Sequence, residues 1–166
     1  MDQKLLEQLY TAHYGAAYTY CLALCGDEHL ASDLLSDAFV KACMSLPKDV
    51  PSFRYWLLRV CKNLYFDHLR KQKHEASPEP LEHMTTGHTP ESQYIQKEEY
   101  RCLWRILASL PPADRELLTL HYFTGLSLQE IAPITGKSYA AVRQRMVRLR
   151  KFIKEEMEDQ GYGRNA

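Results

Sequence analysis

The stretch SLQEIAPITGKSYAAVRQRMVRLRKFIK, residues 127–154, decides the fold that this sequence predicts. Ser127, followed by Glu130 three residues later, has the spacing of a capping box and predicts the start of a helix. Gly136 tolerates a positive φ and permits a sharp turn, and Ser138 is a suitable cap for a second helix. An apolar stripe recurs at helical spacing along that second helix: Val142, Met146, Leu149 and Ile153. The stretch therefore predicts two helices joined by a tight turn.

The outer face of the second predicted helix is basic. Between Ser138 and Lys154 the sequence contains no acid and several cations: Arg143, Arg145, Arg148, Arg150, Lys151 and Lys154. A short helix, a glycine turn and a basic helix form the helix-turn-helix arrangement, whose second helix enters the major groove of DNA. Arg can bond guanine and Gln can bond adenine there, while other cations neutralise phosphates. The alternative is a solvated basic face on an ordinary helical hairpin.

Pro133 lies inside the first of these two helices. A proline at this position removes a hydrogen bond, crowds the carbonyl group of Gln129 and costs about 3 kcal/mol. We therefore expect the first helix to be kinked or to end early.

Length and composition restrict the class of protein. The chain has 166 residues, enough for one ordinary domain or two small ones. No apolar run is long enough to cross a bilayer, and the N-terminal sequence MDQKLLEQLY lacks the pattern of a secretory signal. We therefore expect a cytoplasmic protein with no membrane insertion.

The sequence contains no convincing catalytic or metal site. Its cysteines are scattered through helical apolar patterns, where free thiols behave as small hydrophobes. Cys21, Cys25 and His29 could share a helix face and bind a metal, but no second cluster of ligands accompanies them. We see no P-loop, dinucleotide-binding turn or catalytic triad. The expectation is a protein that is not an enzyme and has no catalytic residue, metal or cofactor.

Helical spacing runs through most of the chain, and no strand pattern competes with it. Three helices are predicted, over about residues 4–24, from a cap at Asp27 to about Leu46, and onward from a cap at Ser52; together they can bury one core. We expect Leu5 and Cys43 to be among the inward-facing residues. Helical spacing resumes near Gln93 and is interrupted at Pro111 and Gly125, which predicts a four-helix unit ending in the helix-turn-helix.

Between these two groups of helices, residues 74–92 read HEASPEPLEHMTTGHTPES and lack periodicity. The prolines, the glycine and the small polar residues are typical of a linker, and the segment is long for a loop inside a compact domain. The sequence therefore predicts an all-α chain of two small helical domains, residues 1–73 and 93–158, joined by a flexible linker.

The net charge is zero, but the charges are separated along the chain. Most of the charged residues in the range 1–53 are acidic, whereas most of those in the range 54–74 are basic. With the basic helix near the C-terminus, this pattern suggests two contacts with nucleic acid and a further partner of different charge.

Two segments resemble the extracytoplasmic-function sigma factors of bacterial RNA polymerase, the small two-domain group 4 of the sigma-70 family. The first is ASDLLSDAFVKA, residues 31–42, followed by FRYWLLRVCKNLYFDHLRK, residues 53–71, and it resembles sigma region 2. The second, residues 110–153, resembles sigma region 4. The second segment alone is shared with other helix-turn-helix regulators, whereas both segments in this order are specific to the family.

The resemblance implies a sigma factor that binds core RNA polymerase and directs promoter-specific initiation, and it assigns a role to three surfaces. Core polymerase would bind the second helix at Asp33, Ser36, Asp37, Val40 and Lys41. The promoter −10 element would bind the third helix at Arg54, Tyr55, Arg59, Lys62, Asn63, Phe66 and Arg70. The −35 element would bind the last helix and its turn at Lys137, Ser138, Ala140, Arg143, Gln144, Val147, Arg148 and Lys151. An anti-sigma factor is a further partner that the resemblance implies.

Other interpretations of the same residues remain open at this point. Asp33 and Asp37 could be plain solvated carboxylates, and Arg59 or Arg70 could merely pair with Asp67. The whole chain could be a stand-alone regulator that binds duplex DNA as a dimer through the helix-turn-helix. Binding to core polymerase separates that regulator from a sigma factor.

Overall fold

The computed structural model describes residues 2–46, 52–73 and 98–162, which are helical over most of their length. The helices are α1 (Gln3–Cys25), α2 (Glu28–Ser45), α3 (Phe53–Gln72), α4 (Glu98–Ser109), α5 (Pro112–Leu118), α6 (Leu128–Thr135) and α7 (Tyr139–Asp159), with a π-helical turn at Thr119–Phe123. They form two compact units, α1–α3 and α4–α7, each with its own contacts. The predicted all-α fold with two helical domains is confirmed.

Some expectations concern segments outside the described residues. They are the loop between Pro47 and Pro51, the linker of residues 74–92, and the start of a helix near Gln93. The domain boundaries at residues 73, 93 and 158 stay predictions. Within the described ranges, no helix combines the length and the apolar character needed to cross a lipid bilayer.

The helix ends of the first unit follow from local chemistry. Gly26 ends α1 with φ 68°, a left-handed conformation in which glycine meets no Cβ clash. The Asp27 carboxylate accepts hydrogen bonds from the backbone N–H groups of His29 and Leu30 at 2.8 and 3.1 Å, which starts α2. The Ser52 hydroxyl accepts from the Tyr55 N–H at 3.1 Å and starts α3. The caps predicted at Asp27 and Ser52 are confirmed.

The core of the first unit lies among α1, α2 and α3 and is formed mainly by leucine, alanine, cysteine and aromatic side chains. In α1, however, the buried residues begin at Ala17, so its first turns contribute little to the core. Leu5 is 46% exposed, and the prediction that it faces inward was wrong for this reason. Cys43 is also exposed, because it lies one position beyond Ala42, the last buried residue of α2.

The second unit contains the two helices that the sequence predicted most directly. The Glu130 N–H donates to the Ser127 hydroxyl at 3.2 Å, and the Ser127 N–H donates to the Glu130 carboxylate at 2.8 Å. The capping box is therefore present, and Gly136 ends α6 with φ 72°. The helix continues past Pro133 to Thr135, which excludes the early end, and the alternative of a kink stays a prediction. Pro133 is exposed and α6 has only 8 residues, so the missing N–H removes one hydrogen bond from a short helix and disturbs few neighbouring groups.

A π-helical turn between α5 and α6 was not predicted. It covers Thr119–Phe123 and is closed by the Thr124 N–H, which donates to the Thr119 carbonyl at 3.2 Å. The Thr124 hydroxyl also bonds the Leu120 carbonyl. The turn allows Leu120 and Leu126 both to be buried before α6 begins.

Candidate nucleic-acid interfaces

One side of α7 is apolar and buried, so its basic side is exposed to solvent. Val142, Met146 and Leu149 are 1%, 0% and 3% exposed and pack against the other helices of the second unit. The residues predicted to bind DNA all lie outside this stripe and are exposed: Lys137, Ser138, Ala140, Arg143, Gln144, Val147, Arg148 and Lys151. At about 100° per residue, those within α7 lie mainly on the side opposite the stripe.

Several of these exposed residues suit the edges of DNA bases. The side chains of Arg143, Gln144 and Arg148 have no hydrogen-bond or ion-pair partner within the part of the chain that the structure describes. Val147 is 61% exposed, and its apolar side chain is of the kind that contacts the methyl group of thymine. Ser138 has a structural task as well, because its hydroxyl accepts from the Ala141 N–H at 3.2 Å and caps α7.

Two arginines of α7 do not belong to this exposed face. Arg145 forms a bidentate pair with Asp114 of α5. The Arg150 Nε donates to the Tyr122 hydroxyl at 2.8 Å, and its Nη2 lies 3.3 Å from the His121 Nε2. A sequence signal for both existed, since Arg145 lies three residues after Val142 and Arg150 lies four residues after Met146. That spacing places them at the two edges of the buried stripe.

The predicted −10 surface of α3 is a strip in which cations and aromatic rings alternate. The Arg59 guanidinium lies 5.7 Å from the centroid of the Tyr55 ring, and the Lys62 ammonium lies 5.6 Å from that of Phe66. Phe66 is 46% exposed, and Asn63 is exposed beside it. The strip therefore offers both charge and open ring surface.

The two ends of this strip differ from its centre. Arg70 pairs with Asp67, and the side chains are 73% and 49% exposed, so water screens the pair strongly. Arg54 is half-buried, and its Nε has no hydrogen-bond partner among the described residues. It lies near His13 of α1, and burial together with the charge of Arg54 lowers the pKa of that imidazole.

The aromatic rings on the inner side of α3 belong to the core. The centroids of Phe53 and Trp56 are 5.8 Å apart, and Phe53 lies 6.0 Å from Phe39 of α2. Both Phe53 and Trp56 are half-buried. Tyr55 and Phe66 thus remain the α3 rings best placed to meet a DNA base.

The outer face of α2 carries the residues predicted to bind polymerase. All of them are exposed and recur at helical spacing: Asp33, Ser36, Asp37, Val40 and Lys41. The sequence analysis missed Met44, which is 80% exposed four residues after Val40 and extends the same face. The surface combines carboxylates at one end with an apolar pair at the other.

Two thiols of the first unit are shielded from solvent to different degrees, since Cys21 is buried and Cys25 is half-buried. Hydrogen bonding with Cys61 and burial raise the pKa of the Cys21 thiol, and burial raises that of Cys25. Among residues 2–46, 52–73 and 98–162, no three His, Cys, Asp or Glu side chains are grouped so that they could hold a metal ion.

Comparison with known proteins gives two family matches in chain order. The model described as sigma-70 region 2 matches residues 9–75, and that described as sigma-70, region 4 matches residues 100–153. The probable RNA polymerase sigma factor RfaY of Xanthomonas campestris is 30% identical over 171 residues, which cover 93% of this chain and 41% of RfaY. The ECF RNA polymerase sigma factor SigM of Bacillus subtilis is 28% identical over 151 residues, covering 90% of this chain and 93% of SigM.

Two solved structures share the fold. The sigma factor RpoE of Bartonella quintana, crystallised with the anti-sigma factor NepR, has a TM-score of 0.70 at 20% identity and covers 93% of this chain. CnrH, in complex with the cytosolic domain of CnrY, has a TM-score of 0.64 at 23% identity and covers 95%. The alignments take in 98% and 90% of those two chains.

Proposed function

The chain belongs to the sigma-70 family of bacterial RNA polymerase sigma factors, in its extracytoplasmic-function group, and on this premise we propose which of its surfaces bind polymerase and promoter. The resemblance inferred from the sequence is confirmed by the matches to region 2 and region 4. One observation carries the proposal. A unit with a cation–aromatic face and a unit with a basic helix-turn-helix occur together in one chain.

We propose that α7 binds the −35 element as duplex DNA in the major groove. Arg143 and Gln144 would bond base edges, because their side chains are exposed and have no partner within the described residues. Val147 would contact a thymine methyl group. Arg148 and Lys151 would neutralise phosphates on either side of the groove.

We propose that α3 binds the −10 element after the strands separate. A melted strand exposes base faces that stack on aromatic rings, while its phosphates still need cations. Tyr55 and Phe66 supply rings that Arg59 and Lys62 already flank at under 6 Å. Duplex DNA offers no base face to such a strip, so we expect a preference for single strands.

The outer face of α2 is our proposed docking site for core polymerase. Val40 and Met44 are 55% and 80% exposed, and their burial against a partner would supply affinity. Asp33 and Asp37 would contribute mainly specificity and association rate through attraction to a basic partner surface. Such division between apolar anchors and steering charges is common in protein interfaces.

Further parts of the proposal concern regulation and organisation. The two solved relatives are complexes with NepR and with the cytosolic domain of CnrY, which supports an anti-sigma factor as a partner of this chain too. We place the protein in the cytoplasm and assign it no catalysis of its own, since the polymerase performs the chemistry. The domains would be residues 1–73 and 93–158, with residues 74–92 as the linker.

Reconstitution with purified core polymerase tests this function. Core plus the full chain should transcribe a library of genomic fragments from a limited set of start sites. Asp37→Arg should weaken assembly with core at least several-fold, whereas Glu7→Arg, an equal charge change at an exposed position of α1, should not. A chain that ignores core polymerase but binds an operator duplex tightly as a dimer would instead be a stand-alone regulator.

A further inference from the structure

Arg145 lies in the middle of the basic helix α7 but is directed to the protein. Its Nε donates to Oδ1 of Asp114 at 2.7 Å, and its Nη2 donates to Oδ2 of the same carboxylate. The two residues are 31 positions apart in the sequence, in α7 and in the first turn of α5. The pair therefore joins the DNA-binding helix to its supporting helix by a directional contact.

The carboxylate of this pair is nearly buried. The Asp114 side chain is 5% exposed, and that of Arg145 is 43% exposed. A buried carboxylate is stable only with a partner, so Asp114 holds Arg145 strongly. The pair also borders a cavity lined by Thr135 and Lys137, which flank the Gly136 turn. It thus lies where α5, the turn and α7 meet.

The neighbouring arginines of α7 are different. Arg143 and Arg148 are exposed and make no side-chain hydrogen bond or ion pair within the described ranges. Arg145, by contrast, donates two hydrogen bonds from its guanidinium group to one carboxylate. The negative charge of Asp114 neutralises the positive charge of Arg145. A phosphate contact would have to compete with this bidentate pair.

We propose that Arg145 and Asp114 are positioning residues for −35 recognition, which fix the rotation of α7 about its own axis, and that Arg145 neutralises no phosphate. The inference rests on the proposed binding of DNA by α7. The apolar stripe of α7 is held by non-directional packing, whereas a bidentate pair has a defined geometry. With a helix radius of about 6 Å, a rotation of about 10° moves side-chain tips by about 1 Å. A shift of that size disturbs bidentate contacts to bases but leaves phosphate contacts nearly unchanged.

The test compares two duplexes and four variants of the full chain. One duplex carries the −35 sequence that the wild-type chain selects from a random library, and the other is a scrambled sequence of equal length. Arg145→Met and Arg148→Met form a matched pair on one helix. Asp114→Asn and Arg145→Lys keep side-chain size or charge and remove the bidentate geometry. Thermal unfolding is measured first, and binding is measured well below each midpoint.

The expected results separate positioning from charge. Arg145→Lys should weaken binding to the selected duplex about tenfold but change binding to the scrambled duplex less than about twofold, and Asp114→Asn should weaken binding to the selected duplex relative to the scrambled duplex. Arg145→Met should leave the slope of log K against log salt unchanged. Arg148→Met should make that slope less steep by about 1 on both duplexes.

Two outcomes would overturn the positioning role. In one, Arg145→Met reduces the salt slope as much as Arg148→Met does, which makes Arg145 a phosphate contact. In the other, folded Arg145→Lys and Asp114→Asn discriminate the duplexes as well as wild type. Failure of the proposed function is recognisable separately, because the wild-type chain would then select no sequence and Arg148→Met would change neither slope nor affinity.

Discussion

The salt dependence of duplex binding measures how many cations of the helix-turn-helix face DNA. The cations of α7 and its turn that are exposed, and whose side chains have no partner within the described residues, are Lys137, Arg143, Arg148, Lys151 and Lys154. Each neutralised phosphate contributes about −0.9 to the slope of log K against log salt. Five contacts therefore set a limit of about −4.5 for α7 and its turn.

A count of every cation in the turn and in α7, whatever its partner, would give a steeper dependence. Counting Arg145 and Arg150 as well gives seven cations and a slope of about −6.3. Between 50 and 200 mM salt, affinity would then fall about 6,000-fold, compared with about 500-fold for five contacts. The structure favours the smaller figure, because Asp114 holds Arg145, and Tyr122 with His121 holds Arg150.

Fluorescence anisotropy of a scrambled duplex of about one helical turn measures the slope, and the short length limits binding to one site. The full chain also carries the α3 strip, so a variant with Arg59→Ala and Lys62→Ala is the control and should give the same slope. A slope near −6 in both proteins would refute the assignment of Arg145 and Arg150 to intramolecular contacts.

The remaining predictions concern one DNA contact and the stability of each unit. Arg143→Ala should weaken binding to the selected −35 duplex by about 1–3 kcal/mol if Arg143 reads a guanine, and an equal loss on scrambled duplex would make it a phosphate contact. Burial and Arg54 lower the pKa of His13, so the unfolded chain binds this proton more readily. The first unit should therefore lose stability as pH falls below the ordinary value of 6.5. In urea titrations His13→Gln should reduce this loss of stability at low pH and should change the free energy of unfolding little at pH 8. If the variant has the same pH profile as the wild type, His13 is not the source of the loss. Ser127→Ala removes the acceptor of the Glu130 N–H and should lower stability by about 1 kcal/mol, seen as a decrease of about 4–8 °C in the melting temperature of the second unit. An unchanged melting temperature would mean that water accepts the hydrogen bond of the Glu130 N–H as well as the Ser127 hydroxyl does.

Features fixed by neighbours in the sequence were predictable. The capping box of Ser127 and Glu130 and the turn at Gly136 depend on residues at most three positions apart, and the structure contains them. The exposed faces of α2 and α7 also followed from periodicity, because one helix repeat decides which residues share a side. The candidate surfaces could therefore be placed before their environment was known.

Features that depend on distant residues were not predictable in this way. The spacing of Arg145 kept it out of the predicted DNA face, but its partner, Asp114, could not be named because it lies 31 residues away in another helix. Leu5 and Cys43 fit the apolar spacing of their helices, yet each lies past the part that the other helices cover. Periodicity indicates which side of a helix is apolar, but not how far along the helix its partners extend.

Zero net charge together with two basic surfaces has a consequence for how the chain finds a promoter. A unit with a slope no steeper than about −4.5 binds non-specific DNA weakly at physiological salt. The helix-turn-helix alone then does not suffice for stable recognition, whereas two contacts presented together on one template act at high effective concentration. We infer that core polymerase supplies this coupling. Asp37→Arg should accordingly reduce promoter occupancy by holoenzyme while leaving the affinity of the free chain for an isolated −35 duplex unchanged, and a parallel loss in both assays would contradict the coupling.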